Sequence, residues 1–290
     1  YLFYMVICVV RDKHVIEALG KTRVTIENGK VSNVEKPLIE YCPIFAKYRN
    51  IEEITPELVR ENIQFRIDDF GMCTKNRQIK MSDMLSVGIS EILRSNLEVG
   101  NIDCVVGVCE GVGTLLMTDA DIVQGVGGRV SGLVSTTPIP EVMEKIGIEN
   151  VLDAQTAQLN PIKGLEKAIN EGYKNIAITI LPSPLIKKIR EYDLPSDVNV
   201  YLFVAHTTGI SMDETRDVFK YADIVTSCAS KNIRDYASKI KPYYYGSSVP
   251  IYAVSDMGRK FLDTRLEKIG KSLSTNKYPQ ENNNIPNPLV

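Results

Sequence analysis

Apolar and polar residues alternate along RVTIENGKVSNV (23–34) about Asn28-Gly29. A period of two with that dipeptide at its centre predicts a β-hairpin. The period then lengthens. LIEYCPIFAKYR leads to ITPELVRENIQFRIDDF, where Thr55 can cap, Pro56 fits a first helical turn, and apolar residues recur at helical spacing. SDMLSVGISEILRSNL predicts a second helix, capped by Ser82.

From residue 102 the texture changes to short continuous apolar runs separated by amphipathic stretches. IDCVVGVC, NIAITI, NVYLFVA, ADIVTSC and VPIYAV are strand candidates. PEVMEKIG, IKGLEKAINEG, SPLIKKIREY, SMDETRDVFKY, SKNIRDYASKI and SDMGRKFLDTRLEKIG are helix candidates. Strands that are apolar throughout, alternating with helices, imply a mostly parallel sheet covered on both faces. The expected architecture is α/β: a hairpin-plus-helices lobe over 1–98, an α/β domain over 99–272, and a disordered tail over 273–290. The tail is read from its Asn- and Pro-rich polar composition. Four of the five strand candidates are expected to run parallel.

Composition narrows the function classes. With 44% hydrophobic and 24% charged residues and a net charge of −2, the chain has an ordinary globular balance and no bulk positive charge for nucleic acid. YLFYMVICVV at the start is too short to span a bilayer and lacks a signal peptide's basic and small-residue flanks. It reads as a buried strand, and the protein as cytoplasmic, with no membrane partner. Six cysteines would then stay reduced, and none forms a CxxC pair. A cysteine metal site would have to converge in space.

Candidate chemistry sits where strands hand over to helices. Ligands of open α/β sheets gather outside the carboxyl ends of the strands. Cys109, Pro182-Ser183, His206 and Cys228 all fall on such ends. Cys228 also precedes a helix start capped by Ser230, with Lys231 beside it, a setting that favours thiolate; the competing reading is a packing cysteine. His206 can serve as general base, metal ligand or core histidine. Gly111 and Gly113 in CEGVGT, and Gly127, Gly128 and Arg129 in GVGGRVSG, suggest loops able to approach an anionic ligand or cofactor, with sharp turns as the competing explanation. Cys42 and Cys73 lie on segments flanking the first helix, each close to basic residues. Cys8 and Cys104 sit inside apolar runs and are assigned to the core; Cys104 and Cys109 should face opposite sides of one strand. The GxSxG elbow of serine acyl transferases is absent.

LIEYCPIFAKYR, RIDDFGMCTKNR, VCEGVGT, DIVQGVGGRVSGLVSTTPIPEVMEKIG, AHTTGIS and DIVTSCASK together resemble the methanogenesis marker protein 8 family of methanogenic archaea, in the same order over about residues 10–270. The resemblance implies an anaerobic cytosol and a role supporting methanogenesis. The role would be assembly, modification or reductive activation of methyl-coenzyme M reductase or its nickel cofactor, with that enzyme or its activation proteins as partners. It carries over no catalytic residue.

Three readings follow. One is an accessory protein in which Cys42, Cys73, Cys109 and Cys228 hold an iron–sulfur cluster or handle sulfur; four thiolates meet a cluster's ligand count. The second is a metal-free transferase or hydrolase using Cys228 and His206 on a small anionic substrate. The third is a non-catalytic partner-binding module.

Overall fold

The computed structural model describes residues 12–129, 132–272 and 284–290. Cys8 and the apolar run around it lie outside the described residues. Strands β1 (Lys13–Glu17), β2 (Arg23–Glu27) and β3 (Lys30–Val34) form an antiparallel meander. The turn of the expected hairpin places Asn28 at φ 51° and Gly29 at φ 70°, the left-handed pair that an Asn-Gly turn supplies at little cost. Cys42 precedes the short helix α1 (Pro43–Arg49). Helix α2 (Pro56–Phe70) starts as its sequence indicates: the Thr55 side chain accepts from the Leu58 N–H, and Gly71 ends it in the left-handed region.

The second helix departs from expectation. Helix α3 runs Ile89–Glu98 with Gly88 at its N-cap, so Ser82 caps nothing there. Buried Arg265 explains the delay. It holds both oxygens of Asp83, at 2.7 and 2.8 Å, and donates to the Ser86 carbonyl, fixing residues 83–86 as a loop.

Next in the chain come β4 (Cys104–Cys109), β5 (Gly113–Met117), α4 (Ala120–Gly127), β6 (Gly132–Ser135), α5 (Pro140–Ile146) and α6 (Pro161–Asn170). They are followed by β7 (Asn175–Ile180), α7 (Leu185–Arg190), β8 (Asn199–Val204), α8 (Met212–Tyr221) and β9 (Ile224–Thr226). The last elements are α9 (Lys231–Ile240), β10 (Tyr243–Tyr245), β11 (Ile251–Ala253) and α10 (Asp256–Lys268). Among the described residues the main sheet has the order β10-β11-β9-β8-β7-β4-β5. β4, β7, β8 and β9 are mutually parallel, whereas β11 is antiparallel to β9. Four of the five expected strands are therefore parallel.

Alternation along the strands builds two cores. Val105, Ala177 and Phe203 pack on one face with side chains of α3, α4, α5 and α10. Cys104, Val106, Ile178, Leu202 and Val204 pack on the other with α6, α7, α8 and α9. Cys104 and Cys109 do face opposite sides. Each large apolar side chain so enclosed contributes about 1.5–3 kcal/mol.

Strand β6 returns to pair with β1, giving a four-stranded sheet in the order β3-β2-β1-β6. Its core gathers Ile16, Ile26, Ile63, Met72, Cys42 and Cys73 with Leu133 from β6 and Ala229 from beyond β9, and Val108 of β4 packs against it. The lobe thus sits over the carboxyl ends of the parallel strands.

The expected disordered tail is corrected at its end. Asn287 pairs with Tyr41 through reciprocal backbone bonds of 2.9 and 3.0 Å, and Val290 exchanges backbone bonds of 2.9 Å with Ala229 and Lys231. Composition counted the segment's scarce apolar area; docking here comes from backbone hydrogen bonds and a buried Pro286.

Candidate functional site at the carboxyl edge of the sheet

Cys109, His206 and Cys228 all stand at the carboxyl edge, where β4, β8 and β9 end. The chain leaves β8 and β9 by sharp turns that put His206 at φ 57° and Cys228 at φ 44°. The left-handed region disfavours residues with a Cβ by about 1–2 kcal/mol each, so the surroundings must hold both turns. They are stitched together. The Thr207 hydroxyl lies 2.7 Å from the Thr226 carbonyl and 2.9 Å from that of Ser227, and the Ala229 N–H donates to Thr208 Oγ1 at 3.2 Å.

His206 packs beside Gly132 of β6. Burial, with a smaller contribution from the nearby Lys21 ammonium, depresses its pKa to about 4, so the ring is neutral at neutral pH. Among the described residues no hydrogen bond joins it to Cys228, whose Sγ instead lies 3.3 Å from Thr226 Oγ1. The Cys228–His206 dyad of the transferase reading is therefore not assembled. Ser230 caps α9 as its sequence indicates, accepting from the Ile233 N–H at 3.2 Å. The Lys231 N–H of the same turn is taken by the Val290 carbonyl.

Cys228 is nonetheless the only described cysteine that is not buried. Cys42 is close enough to Cys228 to feel a charge on it. Burial raises the Cys42 pKa, and the N–H groups of Phe45 and Ile44 partly offset this. Arg234 approaches the same pair, donating to the carbonyls of Cys228 and Ser248 at 2.9 Å. The docked segment flanks it from both sides, through Tyr41 next to Cys42 and Ala229 next to Cys228.

Cys73 and Cys109 form a separate neighbourhood. Both are fully buried, and burial, followed by the Glu110 carboxylate, pushes both thiols well up. Among the described residues no three Cys, His, Asp or Glu side chains are disposed to hold one metal ion. Cys42, Cys73, Cys109 and Cys228 do not form one donor set, because the lobe and the sheet present them at different points of their seam.

The glycines serve the backbone. Gly111 at φ 80° and Gly113 at φ 76° form the β4–β5 turn. The Gly111 N–H donates to Thr136 Oγ1, and a Cβ at Gly113 would lie 2.2 Å from the Ala157 carbonyl oxygen. Gly127 and Gly128 close α4, and the Gly128 N–H bonds the Gln124 carbonyl, so these amides form no anion nest. Arg129 lies over Phe70, 4.9 Å from the ring centroid, and donates to Gln78.

Two groups escaped sequence reasoning. Arg77 and Glu110 form an ion pair at 2.5 Å with both side chains wholly buried; Arg77 also donates to the Gln78 and Gly125 carbonyls and lies over Phe70. Glu110 of this pair adds to burial in raising the Cys109 pKa, whereas Arg77 opposes it. The other group is a hydrogen-bonded chain. His14 Nδ1 lies 2.6 Å from Thr136 Oγ1 and its Nε2 lies 2.8 Å from Asp12 Oδ1, with the ring wholly buried. Asp12 borders an open cavity of about 320 Å³, lined also by Cys73, Lys75, Pro138, Ile139 and Glu141. A buried histidine between a carboxylate and a hydroxyl needs residues 122 positions apart, for which a linear motif gives no signal.

The whole described fold falls within a recognisable relationship. Residues 14–267 match the family described as "Uncharacterized protein conserved in archaea (DUF2099)". The chain is 43% identical over 286 residues to the uncharacterized protein MJ0054 of Methanocaldococcus jannaschii, covering 96% of this chain and all of that protein. No helix among the described residues is long and apolar enough to cross a membrane. With the match running from β1 into α10, across both sheets and the seam between them, the chain belongs to this conserved archaeal family.

Proposed function

We propose that this protein is an accessory factor of methanogenic metabolism that handles sulfur through a two-thiol site, Cys228 as acceptor and Cys42 as its resolving partner. The carrying observation is that the two cysteines meet at the lobe–sheet seam: Cys42 is buried in the same core cluster as Ala229, the residue after Cys228, and Cys228 is the more accessible of the two. Membership of an archaeal family with a relative in Methanocaldococcus jannaschii supports the metabolic setting. The resemblance to methanogenesis marker proteins would attach the activity to assembly or activation of methyl-coenzyme M reductase.

The chemistry is thiol exchange. The Cys228 thiolate attacks the outer sulfur of a persulfide R–S–SH, leaving Cys228–S–SH and releasing R–S⁻. Cys42 then attacks the inner sulfur, closing a Cys42–Cys228 disulfide and expelling hydrosulfide; an external dithiol reduces the disulfide. Treating the reduced chain anaerobically with a small-molecule persulfide and mapping added sulfur by mass spectrometry tests this. Sulfur on Cys228 supports the reading, and sulfur confined to other cysteines refutes it.

A further inference from the structure

One side chain touches the sulfur of the accessible cysteine. Thr226 Oγ1 lies 3.3 Å from Cys228 Sγ, and in the thiol form either atom can donate the hydrogen. A sulfur that has lost its proton has none to give, so only the hydroxyl can then donate. The contact becomes a hydrogen bond to an anion, the stronger kind. The same two atoms therefore attract each other more strongly after ionisation than before it.

The fold holds this contact from both ends. Thr226 closes β9, in register with Ile251 of its antiparallel neighbour β11. Its carbonyl accepts from the Thr207 hydroxyl at 2.7 Å, which secures the backbone beneath the side chain. A β-branched residue has few χ1 choices, and this limits the directions open to Oγ1. The Cys228 carbonyl accepts from Arg234 Nη2 at 2.9 Å, and the same nitrogen donates to the Ser248 carbonyl. With Cys228 at φ 44°, the chain doubles back and the sulfur lies against the residue two positions before it. Glycine would take that φ at less cost, yet the position holds a thiol. The titratable and charged groups of the surrounding elements are Cys42 before α1, neutral His206 after β8, and Arg234 and Lys231 of α9. Lys231 is engaged by Asp235 at 3.2 Å.

We propose that Thr226 is a catalytic residue of the two-thiol site, its hydroxyl donating to the Cys228 sulfur as that atom ionises and attacks. This rests on the reading of Cys228 as the sulfur acceptor. The thiol proton passes to water, while the hydroxyl keeps its own hydrogen and forms no covalent bond. A hydrogen-bonded thiolate is more abundant at neutral pH but a weaker nucleophile. Abundance wins, because nucleophilicity changes only about half as much on a logarithmic scale. Removing the hydroxyl should therefore slow Cys228 at neutral pH and speed it on the alkaline plateau, where ionisation is complete.

The test is timed labelling of the reduced full chain with iodoacetamide under anaerobic conditions, followed by mapping of the Cys228 peptide. Thr226→Val, isosteric without the hydroxyl, should react roughly 3- to 10-fold more slowly than wild type at neutral pH. On the alkaline plateau it should react faster. Thr226→Ala, which cannot crowd the site, should show the same crossover, and Thr226→Ser should restore most of the neutral rate. A lost structural prop would instead change both rates in the same direction. Unchanged neutral rates in Val and Ala, parallel changes at both pH values, or no recovery with Ser would each overturn the proposal. The probe delivers no sulfur, so the two readings fail separately. A crossover in a protein whose Cys228 takes up no sulfur would sink the sulfur-handling reading alone; sulfur uptake with rates indifferent to residue 226 would sink the role of Thr226.

Discussion

Burial sorts the five described cysteines by access. Cys73 is wholly enclosed, and its thiol is pushed well up by burial and by Glu110. Cys104, in the opposite core, is pushed up to about 12 by burial. Reactivity requires access, which among the described cysteines only Cys228 combines with a position at the sheet edge. Timed alkylation of the reduced protein at neutral pH should therefore modify Cys228 first, Cys42 next, and Cys73, Cys104 and Cys109 only on unfolding. Modification of Cys104 ahead of Cys228 would show that the burial assignments are wrong. His14 teaches the converse lesson. In RDKH it is an unremarkable polar neighbour of a strand, and its partners Asp12 and Thr136 become visible only when β6 is laid beside β1.

At the scale of elements, local chemistry was readable and long-range stitching was not. Asn28-Gly29, Thr55-Pro56 and Ser230 each encode their turn or cap within a few residues, and each forms as read. The segment 82–88 fails as a helix because Asp83 is claimed by Arg265, 182 positions away. Residues 284–290 likewise read as solvated chain, yet they join Tyr41 to Ala229 across the seam. Net backbone hydrogen bonds contribute about 0.5–1.5 kcal/mol each, partly offset by the entropy of ordering the segment. Deletion of residues 284–290 should lower the melting temperature by a few degrees, roughly 1–2 kcal/mol at this scale. It should also raise the alkylation rate of Cys42, whose neighbour Tyr41 loses its partner. An unchanged melting temperature together with an unchanged Cys42 rate would mean that the segment does not dock.

For the molecule as a whole, the alternation of apolar strands and amphipathic helices was enough to give a doubly covered, mostly parallel sheet. It did not give the way the lobe closes over the sheet's carboxyl edge, because β6 and the buried polar groups of the seam carry weak local patterns. That closure has an acid signature. The unfolded His206 binds a proton near its ordinary pKa of 6.5, whereas the folded ring does so only at about 4. Its neutral form is the one the fold accepts. Stability is therefore unaffected above the unfolded value and falls as pH drops from 6.5 toward 4, where the unfolded state holds more protons. The loss is on the order of 2 kcal/mol, allowing for the partial exposure of the ring. Asp83, held low chiefly by its hydrogen bonds with Arg265, adds a loss only in more acidic solution, below its ordinary value of 3.8. Denaturant titrations from pH 7 to 4 should show a shallower slope for His206→Gln than for the wild type, whereas equal slopes would place the ring in solvent.

Sulfane-sulfur mapping of the wild type and Cys42→Ser under anaerobic conditions tests the two-thiol site most directly. After one equivalent of small-molecule persulfide, the wild type should carry sulfur on Cys228 transiently, then release hydrosulfide and show a Cys42–Cys228 disulfide. Cys42→Ser should retain the Cys228 persulfide. Sulfur that never appears on Cys228, or a Cys228 persulfide equally long-lived with and without the Cys42 thiol, would contradict the assignment of these two cysteines as one functional site.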